Sequence, residues 1–354
     1  MAPKTGVSKP SIAVDAMGSD LGPSEVISGL KLALKQLPQG QENFILVGQE
    51  AVIKPLLRQE KIADHPRIGI LHASEVVSME DKPLRGLKTK KDSSMVRAIE
   101  LVKEKKARVL VSCGNTGSLM AGGTLKLRTI PGITRPALGA VIPSESSHWV
   151  LIDAGANPNP NPEQMVANAI LGKNYAKAAL DIKEPRIGLL SIGTEEGKGT
   201  ELVHQTHLLL RRLDPIINYL GPIEGFQVFN YTVDVVVCDG FVGNILLKSC
   251  ESLFTTLSRF LKKELTANPI RMLGAGLSWG AFRSMKKQLS PHRYSGAPLL
   301  GLNGNILKAH GSSDRRAIAG ALRIASEIIE RDMDHMIRSD VEKSNALLKG
   351  PIAV

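Results

Sequence analysis

The feature that most constrains this chain is a short apolar run that ends, repeatedly, in a turn of small and polar residues. The tightest case is Val109-Leu110-Val111, followed by Ser112-Cys113-Gly114-Asn115-Thr116-Gly117-Ser118-Leu119-Met120-Ala121-Gly122-Gly123. A run with no polar face suits a strand covered on both sides, which is the usual state of strands in parallel sheets. Similar runs occupy Ser11 to Ala16, Phe44 to Gly48, Arg67 to Ala73, His148 to Asp153, Arg186 to Gly193 and Val233 to Cys238. Between them lie helical stripes such as Val26, Ile27, Leu30, Leu32 and Leu34. The alternation predicts an α/β fold, a three-layer α/β/α unit built on a mostly parallel sheet. Such sheets collect ligands beyond the carboxyl ends of their strands, so the turns are where function is expected.

At Ser112 to Gly123 the strand, the Gly-rich turn and a helix start together make a potential anion cradle, with amides and a helix N-terminus facing a phosphate. Gly114, Asn115, Thr116 and Gly117 are its candidate residues. A tight turn between packed elements needs the same glycines, and this stretch alone leaves both readings open. Comparable turns hold Asp15 and Gly18, Asp153 and Asn157, Asp239 and Asn244, and His310, Ser312 and Ser313. Asp153 suits a ligand site and equally suits tying down its own loop backbone. The turn Gly193 to Gly199 sets Lys198 between two glycines but is not a Walker A motif. That motif needs Ser or Thr directly after the lysine. Jointly the turns supply amides, hydroxyls, a lysine and a histidine, a set suited to a phosphate and a polarised carbonyl.

Composition removes several classes of function. Aromatic residues are only 4% of the 354, too few for the stacking platforms that bind single-stranded nucleic acid. The net charge of +11 favours an acidic partner. Three cysteines, Cys113, Cys238 and Cys250, show no metal spacing and no disulfide framework, so no metal is expected and a reducing cytoplasm fits. His204 and His207 share one helix face but lack a third ligand. No G-x-G-x-x-G fingerprint supports a dehydrogenase, and no cofactor is expected. Met1 to Pro10 has no apolar core of a signal peptide, and no apolar run is long enough to span a bilayer.

Two segments break the rhythm. Asp81 to Asp92 reads as a basic loop with Lys82, Arg85, Lys88, Lys90 and Lys91, either a solvated stretch or a docking surface for an acidic partner. From Phe254 to Arg293, apolar residues including Ile270, Leu273, Leu277 and Phe282 mix with lysines and arginines. This predicts two helices joined by an apolar tip, serving as a packed hairpin, a dimer contact or a peripheral attachment to a membrane surface. The organisation expected is one domain over 11–338, carrying a projecting hairpin at 246–292, and a C-terminal tail over 339–354 that is frayed from Lys343 on.

With these residues in view, the chain resembles the bacterial phosphate acyltransferases, which make acyl phosphate from acyl-carrier protein and inorganic phosphate for phospholipid synthesis. The resemblance rests on Val14 to Asp20, Lys90 to Met95, Gly114 to Gly117, Gly155 to Asn157, Gly197 to Gly199, Asp239 to Asn244, Gly296 to Gly301 and His310 to Ser313, in order along the chain. It implies a homodimer whose fold is similar to phosphotransacetylases and isocitrate-type dehydrogenases. It also implies an acyl-carrier protein as donor, phosphate as acceptor and a membrane glycerol-3-phosphate acyltransferase as consumer of the product. Lys198 and Asn244 fall on its catalytic positions, where a cation and an amide N–H can serve a thioester meeting phosphate. Cys113, Pro158-Asn159-Pro160, Pro222 to Phe226 and Ser295 depart from the family pattern, which bears on acyl-chain or carrier preference. A phosphotransacetylase or dehydrogenase acting on another small substrate is the alternative.

Overall fold

The computed structural model describes residues 9–37, 42–144, 147–195, 197–230, 232–288 and 296–349. Glu196, Ser295 and the outermost parts of the predicted hairpin (289–292) and tail (350–354) lie outside them. Eleven strands form one sheet. In chain order they are β1 (Ser11–Asp15), β2 (Asn43–Gly48), β3 (Ile68–His72), β4 (Val109–Ser112), β5 (Ala137–Pro143), β6 (His148–Ile152), β7 (Arg186–Leu190), β8 (Asn218–Ile223), β9 (Val235–Val237), β10 (Ala297–Leu300) and β11 (Asn305–Lys308). Their spatial order is β3-β2-β1-β4-β11-β10-β5-β6-β9-β7-β8.

The apolar runs lie where a doubly covered sheet needs them. In β1, Ile12 and Val14 enter one core while Ala13 enters a second. In β4, Val109 and Val111 join the first core and Leu110 the second, and β9 divides Val235 and Val237 from Val236 in the same way. Successive side chains of a strand point to opposite faces, so two separate cores on one set of strands mean a layer on each side. This is the three-layer α/β/α fold expected.

The parallel character is interrupted in the middle. β3, β2, β1, β4 and β11 form one parallel block, and β6, β9, β7 and β8 form another. Between them β10 pairs antiparallel with both β11 and β5, and β5 pairs antiparallel with β6. An odd number of reversals leaves the two blocks running in opposite senses. The polar turns therefore divide into two groups, one per block.

The helices on the first block include α1 (Pro23–Gln36), α2 (Glu50–Gln59), α3 (Pro83–Thr89), α4 (Ser94–Lys103) and α5 (Thr116–Leu127). The segment read as a basic loop is thus partly helical, started by Pro83 at its first turn. Further on come α6 (Pro162–Leu180) and α7 (Glu201–Arg211). Asn161 caps α6 in a full capping box with Gln164, as the Asn-Pro-Glu start predicts.

The predicted hairpin has three helices, not two with a loose tip: α8 (Gly240–Leu265), α9 (Pro269–Leu277) and α10 (Trp279–Gln288). The tip is helical because Asn268 accepts the Arg271 N–H as N-cap and Pro269 follows at the first helical position. Gly274 and Gly276 sit inside α9 without interrupting it. At 1.5 Å per residue, α8 extends about 39 Å. No residue of α9 is buried.

The chain closes with α11 (Arg315–Glu330) and α12 (Met333–Lys349). The stretch 339–349 is consequently not a frayed tail. Met333, Ile337, Val341 and Ser344 line the buried stripe of α12. Lys173 donates to Asp340 Oδ2 at 2.8 Å and to the Ile216 carbonyl at 2.7 Å, and Asn174 Nδ2 also donates to Asp340, at 3.0 Å. The pair is part-buried and Lys173 keeps the Ile216 carbonyl when Asp340 is removed, so its loss costs about 1–3 kcal/mol. Asp340→Ala is expected to lower the free energy of urea unfolding by that amount, and an unchanged value would show that this ion pair does not help hold α12.

Candidate active site

The first group of turns surrounds the end of β1. The Asp15 carboxylate is buried, accepting the Ser112 hydroxyl at 2.7 Å and the Met17 amide at 3.2 Å. Burial pushes its pKa up, against the pull of Ser94, Ser112 and the Met17 and Gly18 amides. Ser112 Oγ in turn accepts the Gly114 amide at 3.0 Å. A Cβ on Gly18 would stand 2.8 Å from the Gly114 nitrogen, so the two loops pass in backbone contact and only glycine fits. Asn115 caps α5 by accepting the Ser118 amide at 2.9 Å, and its Nδ2 donates to the Met79 carbonyl at 2.7 Å. The amides of Gly114 and Ser118 are thus taken up within the loop. Thr116 is exposed, and Gly117 lies against Pro83.

The turn after β11 joins this group. The Asp20 amide donates to the Gly311 carbonyl at 2.9 Å, and His310 Nδ1 lies 2.8 Å from Ser312 Oγ. Ser313 is buried, whereas His310 and Ser312 face solvent. Sequence reasoning passed over Lys308, the last residue of β11, because it belongs to no motif. Its ammonium donates to the Cys113 carbonyl at 3.4 Å and to the Ala309 carbonyl. Burial lowers its pKa.

The second group is organised by Asp153, which is wholly buried. Its Oδ1 accepts the amides of Leu138, Gly155 and Ala156 at 3.0, 3.1 and 2.8 Å, and its Oδ2 accepts that of Asn157 at 2.7 Å. Burial raises the Asp153 pKa and these four amides pull it back. Asn157 donates its side-chain amide to the Pro136 carbonyl at 2.8 Å. Both residues therefore hold their loop in place. Asp239 is the N-cap of α8 and accepts the Phe241 and Val242 amides at 3.0 and 2.9 Å.

The first turn of α8 rests directly on the Asp153 loop. A Cβ on Gly240 would lie 2.7 Å from the Asn157 carbonyl oxygen, and one on Gly243 would collide with that of Asp153. Asn244, the next residue, is exposed, and its Nδ2 reaches the Ala154 carbonyl only at 3.5 Å. At that length the bond is weak, so the amide is held in position yet can donate elsewhere. Lys198, in the turn after β7, is also exposed. Among the described residues its ammonium makes no hydrogen bond or ion pair, and none joins it to Asn244.

The thiols offer no nucleophile. Cys113, Cys238 and Cys250 are all buried. Burial pushes Cys113 up to about 12 and Cys238 well above the ordinary thiol value. A thiol held protonated in this way is inert. His207 is paired with the Tyr219 hydroxyl at 2.8 Å, and among the described residues no cluster of His, Cys, Asp and Glu could hold a metal.

Comparisons with known proteins identify the family. The family model described as fatty acid synthesis protein matches residues 11–336. A phosphate acyltransferase of Desulfitobacterium hafniense is 42% identical over 336 residues, covering 95% of this chain and 98% of the relative. The chain belongs to the phosphate acyltransferase family. Among solved structures, a phosphotransacetylase from Streptococcus pyogenes superposes with a TM-score of 0.60 at 19% identity, covering 92% of this chain and 95% of that one. A branched-chain phosphotransacylase from Enterococcus faecalis gives 0.56 at 17% identity, covering 90% and 99%. At those identities the likeness speaks for the fold, and it is the likeness the sequence predicts.

In this member of the acyltransferase family, Gly155 is the position that most directly controls Asn244. Its φ of 133° is one that L side chains rarely adopt, and a Cβ there would lie 2.5 Å from Asn244 Nδ2. Gly155→Ala is expected to displace the Asn244 amide and, on the reading of Asn244 as an oxyanion donor proposed below, to lower kcat about 100-fold. A variant with a native circular-dichroism spectrum and unaltered kcat would contradict a role for the Asn244 position.

Proposed function

We propose that the protein transfers a fatty acyl group from the thioester of acyl-carrier protein to inorganic phosphate. The acyl phosphate is passed to a membrane glycerol-3-phosphate acyltransferase for phospholipid synthesis. The observation that carries this reading is the Asn244 amide, exposed and only weakly engaged on a helix turn locked against the Asp153 loop. Family membership supplies the reaction class.

Phosphate is already an oxyanion and thiolate a fair leaving group, so acyl transfer needs no protein nucleophile, in keeping with the buried thiols. A phosphate oxygen attacks the thioester carbonyl carbon, the carbonyl electrons move onto its oxygen, and collapse expels the carrier thiolate. Asn244 donates its N–H to the developing oxyanion. Lys198, on its glycine-flanked turn, supplies a cation to the departing thiolate or to phosphate. The site's remaining work is to bring two negatively charged reactants together.

The carrier is acidic, and the +11 charge of this chain draws it in. On α3, Arg85 and Lys88 are exposed with Lys82 and Lys91 beside them, whereas Lys90 is held by Asp81 at 2.5 Å. Lys198→Ala and Asn244→Ala are each expected to lower kcat for acyl phosphate formation by roughly 100-fold or more with the fold intact. Arg85→Glu combined with Lys88→Glu should instead raise KM for acyl-carrier protein and flatten its salt dependence. Near-normal kcat in both single variants would refute the catalytic assignment, and an unchanged KM would remove α3 from the docking surface.

The hairpin suits peripheral attachment to anionic membrane, where the product is consumed. Ile270, Leu273 and Leu277 are 83%, 69% and 85% exposed on α9, with Lys262, Lys263, Arg271 and Arg283 around them. Among the described residues no helix is long and apolar enough to cross a bilayer, so attachment is by one face. Leu273→Glu with Leu277→Glu is expected to release the protein from anionic liposomes while activity on soluble substrates persists. Dissociation of a homodimer into monomers in that variant would show the tip to be a subunit contact instead.

A further inference from the structure

Lys308 ends β11 opposite Ser112 in the parallel register with β4, at the carboxyl ends of both strands. Its ammonium has three N–H donors, and the acceptors it finds are two neutral carbonyls, those of Cys113 and Ala309. No carboxylate lies within ion-pair distance of it among the described residues. Asp15 and Asp20 act on it only through space, and Asp15 is occupied by the Ser112 hydroxyl and the Met17 amide. Cys113 cannot serve as counter-ion, because burial holds its thiol protonated, up to about 12. A part-buried ammonium without a paired anion is costly, commonly by several kcal/mol. The cost is offset when an anion arrives.

A second positive charge lies within electrostatic reach of it. Lys248 on α8 acts electrostatically on Lys308 in the unfavourable sense. Lys248 lies four residues after Asn244, on the same face of that helix. Lys248 is itself paired with Glu251 at 2.7 Å, so among the described residues it is Lys308 that lacks a counter-charge, and an anion beside it supplies one.

We propose that Lys308 is the anchor for the acceptor phosphate, held between the Gly114 loop and the His310–Ser313 turn. The assignment rests on the reading of the protein as a phosphate acyltransferase and adds a residue that motif reasoning did not supply. Lys308 binds the incoming nucleophile, Asn244 the thioester oxygen, and Lys198 is left to the departing thiolate.

The test uses the full-length protein and inorganic phosphate. Phosphate should raise the thermal midpoint of the wild type and slow acetylation of Lys308 by acetic anhydride, read by peptide mass spectrometry. Sodium chloride at equal ionic strength should do neither. Lys308→Met should raise KM for phosphate roughly 10- to 100-fold, the scale of one charged hydrogen bond, with KM for the acyl donor unchanged. Lys308→Arg, which keeps the charge, should stay within a few-fold of wild type. Acetylation of Lys308 at the same rate with and without saturating phosphate would overturn the proposal, even if the Met variant failed to fold. An equal KM for phosphate in a folded Lys308→Met would overturn it as well. The protection and thermal measurements need no acyl donor. Their success alongside a wild type that forms no acyl phosphate would count against the proposed reaction, not against the phosphate site.

Discussion

The contact between the Asp153 loop and the first turn of α8 is what the reactive end of this molecule depends on. A buried carboxylate gathers four backbone amides and so fixes the course of residues 153–157. Glycines at 240 and 243 then allow α8 to approach that loop at distances no side chain tolerates. The Asn244 amide inherits its position from this packing, not from a strong bond of its own. A carboxylate that reads as a ligand residue therefore braces its own loop.

The sheet divides the labour. Its two parallel blocks run in opposite senses because β10 and β5 reverse direction between them. One block contributes the loops around Asp15, Gly114 and His310, with Lys308 between them. The other contributes Lys198 and, through α8, Asn244 and Lys248. That arrangement suits a reaction in which two anionic substrates must meet: each is received by a different half of the fold, and positive charge from both halves offsets their repulsion.

Much of this was legible in the chain, for physical reasons. β1, β4 and β9 announce themselves because burial on both faces demands unbroken apolar runs. The cap at Asn161 is written in side-chain chemistry, whereas Asp239, which reads as a ligand residue, is the N-cap of α8. β5 is not legible: Ala137-Leu138-Gly139-Ala140-Val141-Ile142-Pro143 mixes small residues and a proline, and nothing local says that its neighbours run antiparallel. The reversal of the second block was hidden with it. α12 was read as a tail because the ion pair that holds it, Lys173 with Asp340, joins residues far apart in sequence. Lys308 shows the same limit at the site. In Ile306-Leu307-Lys308 it looks like any polar residue ending a strand, and its lack of a counter-ion exists only in three dimensions. The choice between ligand and brace at Asp153 likewise needed the amides to be seen.

The central claim is that the two halves deliver an acyl thioester directly to phosphate with no acyl-enzyme in between. Incubating the wild-type protein with long-chain acyl-carrier protein and isotopically labelled free carrier, in the absence of phosphate, tests it most directly. The account predicts no acyl exchange onto the labelled carrier and no acyl adduct on the intact protein by mass spectrometry, with acyl phosphate and free carrier thiol appearing in equal amounts once phosphate is added. Exchange before phosphate is present, or a covalent acyl adduct that phosphate then discharges, would contradict it.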